Sequence, residues 1–140
     1  MSDIVLNKIQ SIQRFIRRAR EEYAAEPDGF DANVTRQDAA VLNILRACQQ
    51  SIDLANHVIK TEKLGIPTSS GESFALLQAG GVIDAELGGR LLDMVGFRNT
   101  IIHHDQKMDM GSVRTLIASG LDDLLLFGER VLNYLEKREV

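Results

Sequence analysis

Tryptophan is absent from this chain, cysteine occurs once, proline twice, and only 5% of the residues are aromatic. Each shortage excludes something. A lone Cys48 cannot close an internal disulfide, so a disulfide-stapled scaffold is ruled out and a reducing, cytoplasmic setting is expected. Few aromatics and few prolines speak against a β-sandwich. No run of about 18 apolar residues exists and the N-terminus lacks the apolar stretch of a signal peptide, so neither a membrane span nor secretion is expected. The formal charge of -4 offers no overall attraction for nucleic acid. Any RNA contact has to come from a local basic patch or from a symmetric assembly.

What is present is an ordinary globular balance, 44% hydrophobic and 26% charged over 140 residues, enough for one domain with a core of its own. Between about Asp3 and Glu26, Val5, Ile9, Ile12, Ile16, Ala19 and Tyr23 recur at spacings of four and three, the stripe of an amphipathic helix. Its other face carries Lys8, Arg14, Arg17, Arg18 and Arg20, which reads either as a solvated face or as a phosphate-binding strip. Pro27-Asp28-Gly29 ends the segment.

A second helix is predicted from Thr35, with Asp38 as the third residue after a capping threonine. Val41, Leu45, Cys48, Ile52, Ala55 and Ile59 make its seam, which places Cys48 as a small buried hydrophobe, and Gly65 with Pro67 marks its stop. Ser69 with Glu72 starts a short third helix through Phe74 and Leu77, ended by Gly80-Gly81. A fourth runs from near Asp84 toward Ile101 and Ile102, weakened by Gly88-Gly89 at about 1 kcal/mol per glycine relative to alanine. After a polar break from His103 through Gly111, a last helix spans about Ser112 to Lys137. Its main row is Val113, Ile117, Gly120, Leu124, Phe127, Val131 and Tyr134, with Leu121, Leu125, Leu132 and Leu135 beside it. The expected fold is therefore all-α, a bundle of about five helices forming a single domain over residues 1–140.

The pattern breaks in the fourth helix. Leu87, Leu91, Met94, position 98 and Ile101 form one stripe, and Leu92, Val95, position 99 and Ile102 the next. Both are apolar except at Arg98 and Asn99. An arginine entering an apolar register must meet an acid, reach a wet cleft or face an anionic ligand, because a lone buried charge costs several kcal/mol. Its planar fork suits phosphate. Pairing with Asp93 or Asp53 is the structural alternative. His103, five residues on, would lie roughly 140° round and 7.5 Å along a continuous helix from Arg98. The two positions converge only if the helix unwinds or a second copy of the motif faces the first, which makes homodimerisation part of the functional reading. His103, His104, Asp105 and His57 could also suggest a metal site. Adjacent histidines on regular backbone point apart, however, and no His-x-x-x-His or Glu-x-x-His spacing occurs, so no metal and no cofactor is expected.

The run Gly96-Phe97-Arg98-Asn99-Thr100-Ile101-Ile102-His103 resembles the Arg-x4-His signature of HEPN ribonucleases in the version typical of HepT-like proteins. The resemblance extends upstream through Ala47 to Ile59, including Asp53 and His57, then through Gly65-Ile66-Pro67 and Ser73-Phe74. Downstream it takes in Asp109, Val113, Leu121, Asp123, Leu124 and Phe127, so it covers nearly the whole chain. It implies a helical bundle, usually a homodimer with both motifs at a shared cleft, and metal-independent RNA endonuclease activity as the toxin of a toxin–antitoxin pair. By motif position, Arg98 would bind the scissile phosphate and His103 would move protons at the ribose 2′-OH or the leaving oxygen. Asn99 would position the site, while Asp53, His57, His104 and Asp105 would support it. The implied partners are RNA and an MntA-like minimal nucleotidyltransferase antitoxin, with no membrane.

One position departs from the family. The second residue after the motif histidine is commonly a tyrosine that the antitoxin can modify with AMP, and here it is Asp105. A carboxylate cannot replace a phenol in that modification, which leaves inhibition by simple binding or modification elsewhere. The alternative function is a catalytically silent HEPN module that docks a nucleotidyltransferase or binds nucleotide.

Overall fold

The computed structural model describes residues 2–104 and 109–139, with the backbone alone at 102–104. Among the described residues regular structure is entirely helical. α1 is Asp3–Ala24, α2 Val34–Glu62, α3 Ser70–Ala79, α4 Ala85–His104, α5 Met110–Thr115 and α6 Asp122–Arg138. A short 3-10 turn, Phe30–Ala32, precedes α2, and a π turn, Leu116–Gly120, joins α5 to α6. The expected helical bundle is what forms. Among the described residues, no helix is long and apolar enough to cross a membrane.

α1 buries the predicted stripe, Val5, Ile9, Ile12, Ile16 and Ala19, against the long α2. α2 is the central helix, packing also on α3, α4 and α6. Its buried surface is accordingly wider than the single seam read from the sequence. Ala40, Ile44, Ala47, Ser51, Leu54 and Val58 form a second buried row beside Cys48, Ile52, Ala55 and Ile59. Small and polar residues disguise that row. Ser51 is accommodated because its hydroxyl donates to the Ala47 carbonyl at 2.9 Å, and Asn43 donates likewise to Ala39. At the core, the rings of Phe74 and Phe127 meet edge to face with centroids 5.4 Å apart.

Helix ends and register depart from the sequence reading at four places. α2 is capped two residues earlier than Thr35, because the Asn33 side chain accepts the Arg36 N–H at 3.1 Å. It ends at Lys63, which takes the left-handed conformation itself (φ 55°), while Gly65 (φ 134°) serves the turn beyond. Ser69 caps α3 as expected, accepting from the Glu72 N–H. Asp84 does the same for α4 through the Leu87 N–H at 2.8 Å. Gly88-Gly89 does not interrupt α4, which runs on through His104, and Asp109 caps α5 at Met110, so the expected polar break is shorter than predicted.

The fourth departure is the π turn. One extra residue widens the last helix at Leu116–Gly120, with the Leu121 N–H bonding the Leu116 carbonyl at 2.9 Å. The insertion shifts the register, so that Leu121, fully buried, takes the core place assigned from periodicity to Gly120. Arg20 of α1 supports the turn. Its Nε donates to the Ile117 carbonyl at 3.0 Å and its Nη2 to Asp122 at 2.7 Å.

Candidate active site

Arg98 stands one turn beyond Met94 on the α4 stripe whose earlier members, Leu87, Leu91 and Met94, are buried. It is itself half-buried at the contact with α2. Neither Asp93 nor Asp53 pairs with it, contrary to the structural alternative. Its Nη2 donates to Gln49 Oε1 at 2.5 Å and its Nη1 to Asn99 Oδ1 at 3.1 Å. Its Nε is buried and has no hydrogen-bond partner among the described residues.

Asp53 reaches the arginine only through Gln49, whose Nε2 donates to Asp53 Oδ1 at 2.8 Å. The amide orientation follows from its neighbours. A guanidinium can only donate and an ionised carboxylate only accept, so Gln49 turns its oxygen to Arg98 and its nitrogen to Asp53. The result is a chain Asp53–Gln49–Arg98–Asn99 in which the cation touches only neutral amide oxygens. Its direction is fixed while its charge is left uncancelled at first contact.

Gln49 was not among the residues singled out from the sequence. It lies one turn before Asp53 on the same helical face, but nothing in its spacing separates it from Gln50. Its role arises only where α4 meets α2. Cys48, its neighbour, is buried as expected. Burial pushes the thiol up to about 12, against a smaller opposing pull from Arg98. It is therefore a protonated core residue at neutral pH and not a nucleophile.

Asn99 is half-buried and touches Arg98 directly. His57 is half-buried one turn beyond Asp53, and among the described residues no hydrogen bond joins the two. α4 remains helical through positions 103 and 104, so the unwinding that would let Arg98 and His103 converge within one chain does not occur. The side chains of His103 and His104, and Asp105 altogether, lie outside the described residues. Among those described, no group of three or more His, Cys, Asp or Glu side chains gathers in a way that could hold a metal ion.

An open cleft of about 540 Å³ lies at the far end of α2, between Asn56, Lys60, Lys63 and Pro67. It begins two turns from Gln49 and its walls are mostly apolar, so its volume carries no chemistry comparable to the Arg98 cluster. What that cluster offers is a positioned guanidinium with donor capacity to spare, the arrangement that binds a phosphate and stabilises charge growing on it.

Comparison with known proteins bears on this arrangement. The family model of ribonuclease HepT-like proteins matches residues 6–131. The mRNA nuclease HepT of Shewanella oneidensis is 38% identical over 127 residues, covering 91% of this chain and 95% of that protein. Among solved structures, the tri-AMPylated Shewanella oneidensis HEPN toxin in complex with MNT antitoxin aligns with a TM-score of 0.89 at 36% identity, covering 95% of this chain and 99% of that one. The Bacillus subtilis cytosolic protein YutE aligns at a TM-score of 0.76 over 94% of this chain and 91% of that one, but at 20% identity it shares the fold alone.

Proposed function

This chain belongs to the ribonuclease HepT-like family, and from that premise we propose that it is the RNA-cleaving toxin of a toxin–antitoxin pair, with Arg98 and His103 as its catalytic residues. The observation that carries the reading is the state of Arg98. A half-buried guanidinium is aimed by two neutral amides and touches no carboxylate, so its charge is available to an anion. A residue whose purpose was a structural bridge would be expected to end on an acid.

The chemistry is transesterification. The ribose 2′-oxygen attacks the adjacent phosphorus and loses its proton to a base, the P–O5′ bond breaks, and the leaving oxygen takes up a proton. A cyclic phosphate and a 5′-hydroxyl result. Arg98 stabilises the charge that builds on the non-bridging oxygens, and an imidazole at position 103 exchanges the protons near neutral pH. DNA, lacking the 2′-hydroxyl, is not cut. Asn99 and Gln49 hold Arg98, with Asp53 acting through Gln49, and the supporting roles of His57 and His104 stay with the family resemblance.

Because α4 is continuous from Arg98 through His104, the two motif positions stand about 140° apart on one helix. This supports a homodimer in which two copies of the motif complete each other across a shared cleft. The antitoxin is an MntA-like minimal nucleotidyltransferase. With Asp105 where the family commonly has tyrosine, it restrains this chain by binding rather than by AMP transfer at that position. Asp105 and the net charge of -4 also favour a second reading, a silent module that docks the nucleotidyltransferase.

Expression of the wild type and of His103→Ala in a bacterial host without any partner separates the two. The ribonuclease reading expects growth arrest with RNA cleavage for the wild type and neither for the variant. Equal growth and intact RNA for both would leave the docking module.

A further inference from the structure

The basic face of α1 resolves into two kinds of arginine. Arg17 and Arg20 are tied to Glu21 and Asp122. Elsewhere, Arg36, Arg90, Arg114 and Arg138 are likewise each held by at least one carboxylate. Among the described residues, Arg14, Arg18, Arg46, Arg98 and Arg130 have no carboxylate partner. In an acidic protein that pairs most of its arginines, the unpaired ones mark where positive charge is kept available.

Two of them share one aromatic ring, and a third is held by a residue one turn away. Arg46 precedes Gln49 by one turn of α2, about 4.5 Å along the axis, and Gln49 holds Arg98. Arg46 in turn lies over the Phe15 ring, 5.8 Å from its centroid, and Arg14 lies over the same ring at 5.0 Å. Phe15 is half-buried at the α1–α2 seam, while both arginines are exposed. An aromatic face holds a guanidinium by its π-electrons without neutralising it, so the in-plane N–H edges stay free for phosphate oxygens. Arg18, one turn beyond Arg14, extends the row. Arg130 stands apart, in a polar cleft with Asp84, Asn133 and Lys137.

We propose that Arg14 and Arg46, mounted on Phe15, form a second phosphate subsite that holds the RNA strand one or more nucleotides away from the phosphate at Arg98. The proposal rests on the ribonuclease reading for the identity of the strand, and it names residues outside the Arg-x4-His motif. The subsite contributes grip and register, with no part in bond breaking.

The test is binding of a single-stranded 2′-O-methyl oligoribonucleotide, which the 2′-oxygen chemistry cannot cut, followed by fluorescence anisotropy across a salt series. Arg14→Gln and Arg46→Gln are each expected to weaken binding about five- to tenfold at low salt. Each should make the log–log salt slope shallower by about 0.7, the value for one phosphate contact on a single strand. Arg130→Gln, an unpaired arginine elsewhere, should bind as the wild type. Phe15→Leu keeps an apolar side chain in the seam and should lose part of the binding at unchanged thermal stability.

Equal binding by all variants, or equal loss in Arg130→Gln, overturns the subsite while leaving the ribonuclease reading intact. So does loss only of binding to the nucleotidyltransferase antitoxin, which would assign this face to a protein partner. If instead the wild type binds through Arg14 and Arg46 yet leaves cleavable RNA whole, the subsite stands and the ribonuclease reading falls.

Discussion

Arg98 donates to Gln49, not to an acid, and Gln49 passes the contact on to Asp53. The amide is a spacer. It lets a carboxylate orient the guanidinium from one residue away without quenching it. Gln49→Glu places that negative charge directly on Arg98 with nearly the same shape. A hydrogen bond to a charged group is worth about 1.5–3 kcal/mol, so RNA cleavage should fall about 10- to 100-fold, while thermal stability should not rise, because the new carboxylate also faces Asp53 without the Nε2 donor. Initial-rate cleavage assays beside melting curves check this. Full activity in Gln49→Glu would remove Arg98 from the phosphate site.

Arg98 itself should tolerate no substitute. Arg98→Ala is expected to lose about 10²- to 10³-fold in cleavage rate, the usual effect of removing a donor aimed at developing negative charge. Arg98→Lys should recover little of it, since an ammonium cannot reach Gln49, Asn99 and a phosphate in one plane. Recovery to near wild-type rate in the lysine variant would mean that charge alone, without the fork, is what the site uses.

Position 105 offers a gain-of-function test. With the nucleotidyltransferase antitoxin and ATP, the wild type should show no AMP adduct at Asp105 by peptide mass spectrometry. Asp105→Tyr should acquire one, because it supplies the phenol oxygen that attacks the α-phosphorus and displaces pyrophosphate. An adduct-free tyrosine variant would show that this antitoxin acts by contact alone.

Arg20→Ala removes the donor that satisfies the Ile117 carbonyl within the π turn, together with the ion pair to Asp122. Leaving a partly buried carbonyl unpaired costs about 1–3 kcal/mol, which should appear as a lower urea midpoint with an unchanged m-value. Asp122→Asn, which removes only the exposed partner, should cost much less.

Cys48 gives a pH-dependent signature. Its thiol is raised from 9.0 to about 12 in the fold, chiefly by burial. A group with a raised folded value binds its proton more tightly when folded. Its contribution to stability is complete below the ordinary thiol value and is lost as pH climbs from 9.0 toward about 12. In mildly alkaline buffer the native thiol should react with a thiol-specific chromogenic reagent only at the rate of global unfolding. Rapid labelling would show that α2 opens locally beside Gln49.

Much of the fold was legible because helix periodicity records burial directly. The α1 stripe through Ala19 and the Ser69 and Asp84 starts read correctly from spacing, and the polar pair Arg98-Asn99 in an otherwise apolar α4 register was visible there too. What escaped depended on contacts between helices. The second buried row of α2 was hidden by Ser51 and by alanines, which look neutral until a neighbour packs on them. The π turn was invisible because one inserted residue looks like ordinary periodicity on either side of it. Gly120 was therefore assigned the core place that Leu121 occupies.

The candidate site divides the same way. That Arg98 and Asn99 interrupt an apolar register, and that His103 follows five residues later, is a property of one helix, and the sequence alone determined it. Local capping and amphipathic stripes belong to the same class, since they arise from residues within a few positions of each other. Which group Arg98 would meet was decided by the crossing of α4 over α2, because a hydrogen bond between positions 49 and 98 has no trace in either segment taken alone. The same crossing left the guanidinium on amide oxygens instead of Asp53. The packing of α1 on α2 likewise brought Arg14 and Arg46 to one aromatic ring. Charge is written in the sequence, but whether a charge is spent on a neighbour or kept for a ligand is settled only by the tertiary fold.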